Sequence, residues 1–102
     1  MNAFDDEYMD RFRKELGLRA RMELLRVDKK QKAIAKIAKT SRPTVTRLLS
    51  GKAVEFDTFW RVLVAIGLNP IDVLAEAQDY LEKELEKERR EKQDELAEGE
   101  QE

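Results

Sequence analysis

Histidine and cysteine are both absent from this chain of 102 residues. Without cysteine there is no disulfide framework, and without histidine there is no zinc finger and no imidazole for acid–base catalysis. A Gly-rich phosphate loop is also missing, and no serine or threonine has a plausible general base beside it. These absences predict that the chain is not an enzyme and that it uses no metal or other cofactor.

Long apolar runs are missing as well. No stretch approaches the roughly 18 residues that a membrane span needs, and the N-terminus is acidic rather than a basic signal peptide. The expectation is a cytoplasmic protein with no membrane partner. Charged residues make up 41% of the chain, so the compact core must be smaller than the whole chain.

Charge is unevenly distributed, although the net charge is only −2. Residues 1–10 contain four acids and no base, and residues 11–61 contain fifteen bases against five acids. Residues 62–102 contain five bases against thirteen acids. A basic block of this kind is what a nucleic-acid phosphate backbone attracts, but charge scattered over solvated helix faces is the alternative that composition leaves open.

Apolar residues recur at every fourth position near the N-terminus, at Phe4, Tyr8, Phe12 and Leu16. This spacing predicts an amphipathic helix over residues 1–17. The apolar stripe continues beyond Gly17 through residues 18–25, so one bent helix and two short helices fit the pattern equally well. No strand pattern, internal repeat or Gly/Ser linker occurs, and the fold class is predicted to be all-α.

Two apolar helices are predicted in the second half of the chain. The first has six candidate core residues, at Phe56, Phe59, Trp60, Leu63, Val64 and Ile66. Gly67 ends this helix, and the Asn69-Pro70 step begins the last one. Because apolar residues nearly stop after Leu85, residues 82–102 are predicted to form a charged helical extension with a frayed or disordered end, and not a long coiled coil.

Two short helices joined by a tight turn are predicted between these segments. The first starts at Gln31, with Ile34, Ala35, Ile37 and Ala38 facing inward. Ser41 is a good N-cap for the second, and Pro43 fits its first turn. The second helix buries Val45, Leu48 and Leu49 and stops at Ser50-Gly51. Such a pair is the plan of a helix-turn-helix.

The segment QKAIAKIAKTSRPTVTRLLSG, from Gln31 to Gly51, resembles the lambda-repressor/Cro-like (XRE) helix-turn-helix family. The matching positions are Gln31, Ile34-Ala35, Ala38, Ser41, Val45, Leu48 and Gly51. The likeness covers about residues 18–78 and implies a five-helix DNA-binding domain over 18–81, to which residues 1–17 add a helix. Lys39 replaces the usual turn glycine, which implies a left-handed or reshaped turn. Leu49 replaces a common glutamate.

Four residues of the second helix are candidates for contacts with base edges, because its N-terminal turn would enter the major groove. Arg42 has the planar fork that binds guanine O6 and N7. Pro43 offers an apolar edge to a thymine methyl, and Thr44 a hydroxyl to a base or phosphate. Arg47 lies a little over one turn further along, where it reads a base or clamps a phosphate.

Contacts with the phosphate backbone are expected from residues around this helix. The resemblance implies that Gln31 bonds a phosphate and braces the first recognition residue, and that Ser50 and Lys52 contact phosphate. Thr46 is a candidate for contact with the flanking backbone, and Ser41 acts mainly as a cap. Phosphate attraction is expected from four lysines, Lys32, Lys29, Lys30 and Lys36.

These features predict a phage or bacterial transcriptional regulator, a repressor, that binds an operator in double-stranded DNA as a homodimer. The candidate dimer surfaces are the helix from Phe4 to Leu16 and the face from Leu74 to Leu85. Two alternatives remain open. One is an antitoxin or co-regulator that also binds a protein partner through its acidic C-terminal helix, and the other is a protein–protein adaptor that has lost DNA binding.

Overall fold

The computed structural model describes the backbone of residues 5–101 and the side chains of residues 5–97. It contains five helices over that range and no strand, which confirms the all-α class. The helices are α1 (Asp6–Val27), α2 (Gln31–Ile37), α3 (Arg42–Leu49), α4 (Phe56–Ile66) and α5 (Pro70–Gln101). No single helix in the described part of the chain has the length and apolar character to cross a membrane. Taken together, α4 and α5 meet that test only as a pair bent by 102°.

The N-terminal segment and the first helix of the expected domain are one continuous helix, α1, of 22 residues. Gly17 lies in its interior and does not end it, so the predicted boundary between residues 17 and 18 falls inside a single element. The helix ends at Asp28, which adopts a left-handed conformation with φ of 54° and donates its N–H to the carbonyls of the last turn. Phe4 lies outside the described residues.

The core is formed by residues of all five helices, and α5 contributes to it only from its first half. Its most deeply buried large side chains are Ile34, Val45, Val62, Leu63 and Ile66. Ile37, predicted to face inward, is instead 59% exposed. The reason is the helical period, which places Ile37 about 100° from the centre of the face formed by Ile34, Ala35 and Ala38.

Helix α4 has more apolar residues than one buried face can hold. Phe59, Leu63 and Ile66 are buried, as predicted. Three residues predicted to be core lie on the opposite side: Phe56 is 63%, Trp60 37% and Val64 54% exposed. The core packs against only one side of this helix, and residues four apart on the other side are left at the surface.

Helices α1 and α5 run antiparallel and are joined by ion pairs. Near one end, the two Nη groups of Arg11 donate to the two carboxylate oxygens of Glu88 at 3.1 and 2.9 Å. Nearer the middle of α1, Arg19 Nη1 donates to Glu76 at 3.2 Å, and its guanidinium lies 5.9 Å from the centre of the Tyr80 ring. Beyond Glu88, α5 continues as a charged helix to Gln101, so the extension predicted for residues 82–102 is helical that far. The fraying of its end stays a prediction.

The ion pair between Arg11 and Glu88 makes the α1–α5 contact dependent on pH. Hydrogen bonding and charge from Arg11 hold the pKa of Glu88 below its ordinary value. A lowered folded-state pKa stabilises the fold above the unfolded pKa, about 4.3, and this stabilisation is lost as the pH falls through the folded value. We therefore expect the parent to melt at a higher temperature than the Glu88→Gln variant at pH 7. The difference should shrink as the pH falls below about 4.3 and through the lower folded-state pKa, and a gap that stays unchanged in acid would contradict the assignment.

Candidate nucleic-acid interface

The turn between α2 and α3 is held by backbone geometry at Lys39. This residue has φ of 56°, the left-handed conformation that was one of the two geometries implied by its replacement of a glycine. The next residue, Thr40, donates its N–H to Ala35 O at 2.9 Å and thereby closes the end of α2. A lysine therefore takes the turn conformation, and its exposed side chain adds a charge beside α3.

Ser41 caps the N-terminus of α3, as predicted. Its Oγ accepts the N–H of Thr44 at 3.3 Å and lies 2.8 Å from Thr44 Oγ1. Pro43 is the second residue of the helix, where its missing N–H removes no intrahelical bond. The cap holds Ser41 and Thr44 together, while Arg42 and Pro43 are exposed.

Helices α2 and α3 are tied together by a bond between side chains. Thr46 Oγ1 donates to Gln31 Oε1 at 2.7 Å. The resemblance implied that Gln31 braces the first residue of the recognition helix, which is Arg42 here. Gln31 instead braces the fifth residue, because a threonine hydroxyl at that position lies within reach of its amide.

The end of α3 uses two of the predicted phosphate-binding groups in bonds within the chain. Ser50 Oγ donates to Thr46 O at 2.8 Å, so its hydroxyl proton is already committed. Arg47 Nη2 donates to Ala53 O at 3.2 Å, which anchors its guanidinium on the loop before α4. The other N–H groups of Arg47 make no bond within residues 5–97.

The buried side of α3 is pressed directly against α1. Val45, Leu48 and Leu49 point into the core. Gly17 allows the close approach, since a Cβ there would lie 2.7 Å from Leu49 O and 2.8 Å from Leu48 O. On the other side of the same contact, Gly51 has φ of 80° and lies so close to α1 that a Cβ would meet Lys14 Cα at 2.7 Å. The orientation of α3 is therefore set by backbone-to-backbone packing.

Several predicted cations remain free around the exposed side of α3. Arg42, Lys32 and Lys52 are exposed, and their side chains make no hydrogen bond or ion pair within residues 5–97. Lys29, by contrast, donates its Nζ to Ala65 O at 3.3 Å at the end of α4. Lys29 therefore has a structural role that the sequence did not indicate.

Two further cations, which the sequence analysis did not select, lie beside Lys52. The hydrogen bond from Lys14 holds the pKa of Asp10 below its ordinary value, and the charges of Lys14, Arg13 and Lys52 add to this effect. Lys14 Nζ lies 2.8 Å from Asp10. Three cations thus gather around one carboxylate where α1 meets the loop after α3. The pattern of acid and bases three and four apart was visible in the sequence, but their closeness to Lys52 was not.

The arrangement is a short helix anchored by its apolar side, with an arginine and a proline exposed at its N-terminal turn and unpaired lysines on either side. It offers planar hydrogen-bond donors and positive charge, and no nucleophile with a base beside it is apparent among the described residues. No protein-family model matches this chain, and no curated protein or solved structure matches it either.

Proposed function

We propose that the protein is a sequence-specific transcriptional regulator that places α3 in the major groove of double-stranded DNA. The observation that carries the proposal is the exposure of Arg42 and Pro43 at the capped start of a helix whose opposite side is anchored in the core. A rigid helix with free donors at its N-terminal turn can hold those donors in register with base edges. A lambda-repressor-like arrangement of the five helices belongs to this proposal.

The residues around α3 take different roles in this proposal. Arg42 reads a guanine, Pro43 meets a thymine methyl, and Arg47, tethered to Ala53 O, clamps the backbone or an adjacent base. Gln31 and Thr46 keep α2 and α3 at a fixed angle through their mutual bond. Lys32 and Lys52 attract phosphates, and Arg13 and Lys14 extend that attraction onto α1.

Occupation of an operator would block polymerase, so we infer a repressor that acts as a homodimer on two half-sites. A single recognition helix reads only a few base pairs, and a second one on a palindrome doubles the contacts.

A second candidate role concerns the charged end of α5. The residues of α5 after Glu88 are exposed as far as Ala97, and the structure is elongated, with extents of 61 × 27 × 21 Å. An acidic helix that projects in this way suits a protein partner with a basic surface. Binding such a partner would make this chain an antitoxin or a co-regulator. Retention of a partner by the full chain, and its loss on truncation after Glu88, would support this role.

The proposed function is tested by selecting bound sequences from a random double-stranded DNA library and titrating salt. We expect enrichment of a short inverted repeat, and an affinity that falls steeply and linearly in log–log form with salt concentration. An affinity that is the same for all sequences at every salt concentration would contradict sequence-specific binding in the major groove. Enrichment of a single, unrepeated site would contradict the homodimer but not the sequence-specific binding.

A further inference from the structure

A stripe of exposed apolar side chains follows the outer side of α4. It consists of Phe56, Trp60 and Val64, which we call the α4 stripe. The rings of Phe56 and Trp60 are in contact, with centroids 6.0 Å apart. Single exposed apolar residues are common on proteins, whereas a contiguous apolar patch with two aromatic rings is a candidate binding surface.

We propose that the α4 stripe is covered by the α4 stripe of a second copy of this chain, packed antiparallel about a two-fold axis. The surfaces that the sequence suggested for a dimer are already used within one copy. Tyr8 and Leu16 of the α1 surface, and Ala77 and Leu81 of the α5 surface, are all buried. The outer side of α4 is left as an aromatic surface available to a second copy.

The charges beside the stripe fit this arrangement. Asp57 and Arg61 flank one edge of the stripe, four residues apart, and both are exposed. Neither forms an ion pair within residues 5–97, and Arg61 uses only its Nε–H, in a bond of 2.9 Å to Ala38 O. In an antiparallel pair, equivalent edges face each other, so Asp57 of one copy lies beside Arg61 of the other. The two-fold axis generates this opposite-charge contact twice.

The size of the stripe sets the strength of the dimer. From the areas that aromatic side chains bury, the three exposed portions amount to roughly 300 Å² of apolar surface per copy. A standard stable interface buries about 800 Å² per partner. The dimer is therefore weak in free solution and is completed on DNA, where two adjacent half-sites raise the effective concentration of one copy beside the other. This last step rests on the proposed function, whereas the interface itself does not.

The test is sedimentation velocity of the full chain without DNA, over roughly micromolar to millimolar concentrations. The parent is expected to shift from monomer to dimer within this range. Val64→Asp should weaken association at least tenfold while circular dichroism shows an unchanged helix content. Asp57→Arg and Arg61→Glu should each weaken association, because each leaves like charges face to face.

The decisive variant combines Asp57→Arg with Arg61→Glu, which restores opposite charges across the two-fold axis. It should associate more strongly than Arg61→Glu alone, although both lack the Arg61 bond to Ala38. A parent that stays monomeric at the highest concentration would overturn the proposal, and so would a double variant no better than Arg61→Glu. Because DNA is absent from this experiment, a protein that dimerises through α4 but selects no sequence would contradict the proposed function and leave the interface standing.

Discussion

Gly17→Ala is expected to lower the melting temperature by about 10 °C, although alanine is the better helix former. In an exposed helix the exchange would stabilise by about 1 kcal/mol. Here the added Cβ would stand 2.7 Å from Leu49 O and 2.8 Å from Leu48 O, and both are backbone atoms that cannot swing aside. Overpacking of this kind costs about 1–3 kcal/mol, or more where the backbone must move. The clash therefore outweighs the gain in helix propensity, and the net change in stability is a loss. For a domain of this size, 1 kcal/mol corresponds to about 4–8 °C.

The matched control is Gly67→Ala, at the end of α4. Gly67, unlike Gly17, has a positive φ, of 107°, but a Cβ there meets nothing within 4 Å. We expect a loss of about 1–2 kcal/mol from backbone strain alone. Gly51→Ala combines both penalties, since φ is 80° and the new Cβ would lie 2.7 Å from Lys14 Cα. It should be the most destabilised of the three. A Gly17→Ala variant that melts at or above the parent would show that α1 and α3 do not pack this closely.

Arg42→Ala is expected to weaken binding to the selected DNA site by about 10- to 100-fold, since a bidentate arginine–guanine contact contributes about 1–3 kcal/mol. The loss should be confined to one base position, where the variant accepts other bases. Arg42 is exposed at the first position of a helix capped by Ser41, and it holds no other side chain in place. The change is therefore not expected to alter stability, and melting curves check this.

Two further variants separate base reading from the loss of charge. Lys52→Ala should weaken binding to all sequences alike and lower the slope of log affinity against log salt by about 1. Arg89→Ala removes the same charge from α5, where Arg89 pairs with Glu86, and should leave affinity nearly unchanged. If Arg42→Ala behaves like Lys52→Ala, with equal losses on every sequence, Arg42 contacts phosphate and not a base.

Local chemistry in the sequence was sufficient to predict the elements of the candidate site. The Ser41 cap, the position of Pro43, the end of α3 at Ser50-Gly51 and the end of α4 at Gly67 were predicted correctly. The left-handed conformation of Lys39 was one of the two geometries implied by the resemblance. Each of these features depends on residues within one turn of the backbone, which is the range over which a sequence pattern acts directly. The buried positions of Ile34, Val45 and Leu63 followed from helical periodicity for the same reason.

What the tertiary structure alone decided was which of several apolar faces is covered. Phe56 and Trp60 satisfy the helical period as well as Phe59 does, but α4 has neighbours on one side only. Gly17 was compatible with a break or with a continuous helix, and the need for α3 to approach α1 explains why glycine stands inside an unbroken α1. The bond between Thr46 and Gln31, and the gathering of Arg13 and Lys14 beside Lys52, join residues distant in the chain. Such contacts depend on how the helices pack. The sequence therefore determined the helices and their caps, and the packing determined which side chains are buried and which are brought into contact.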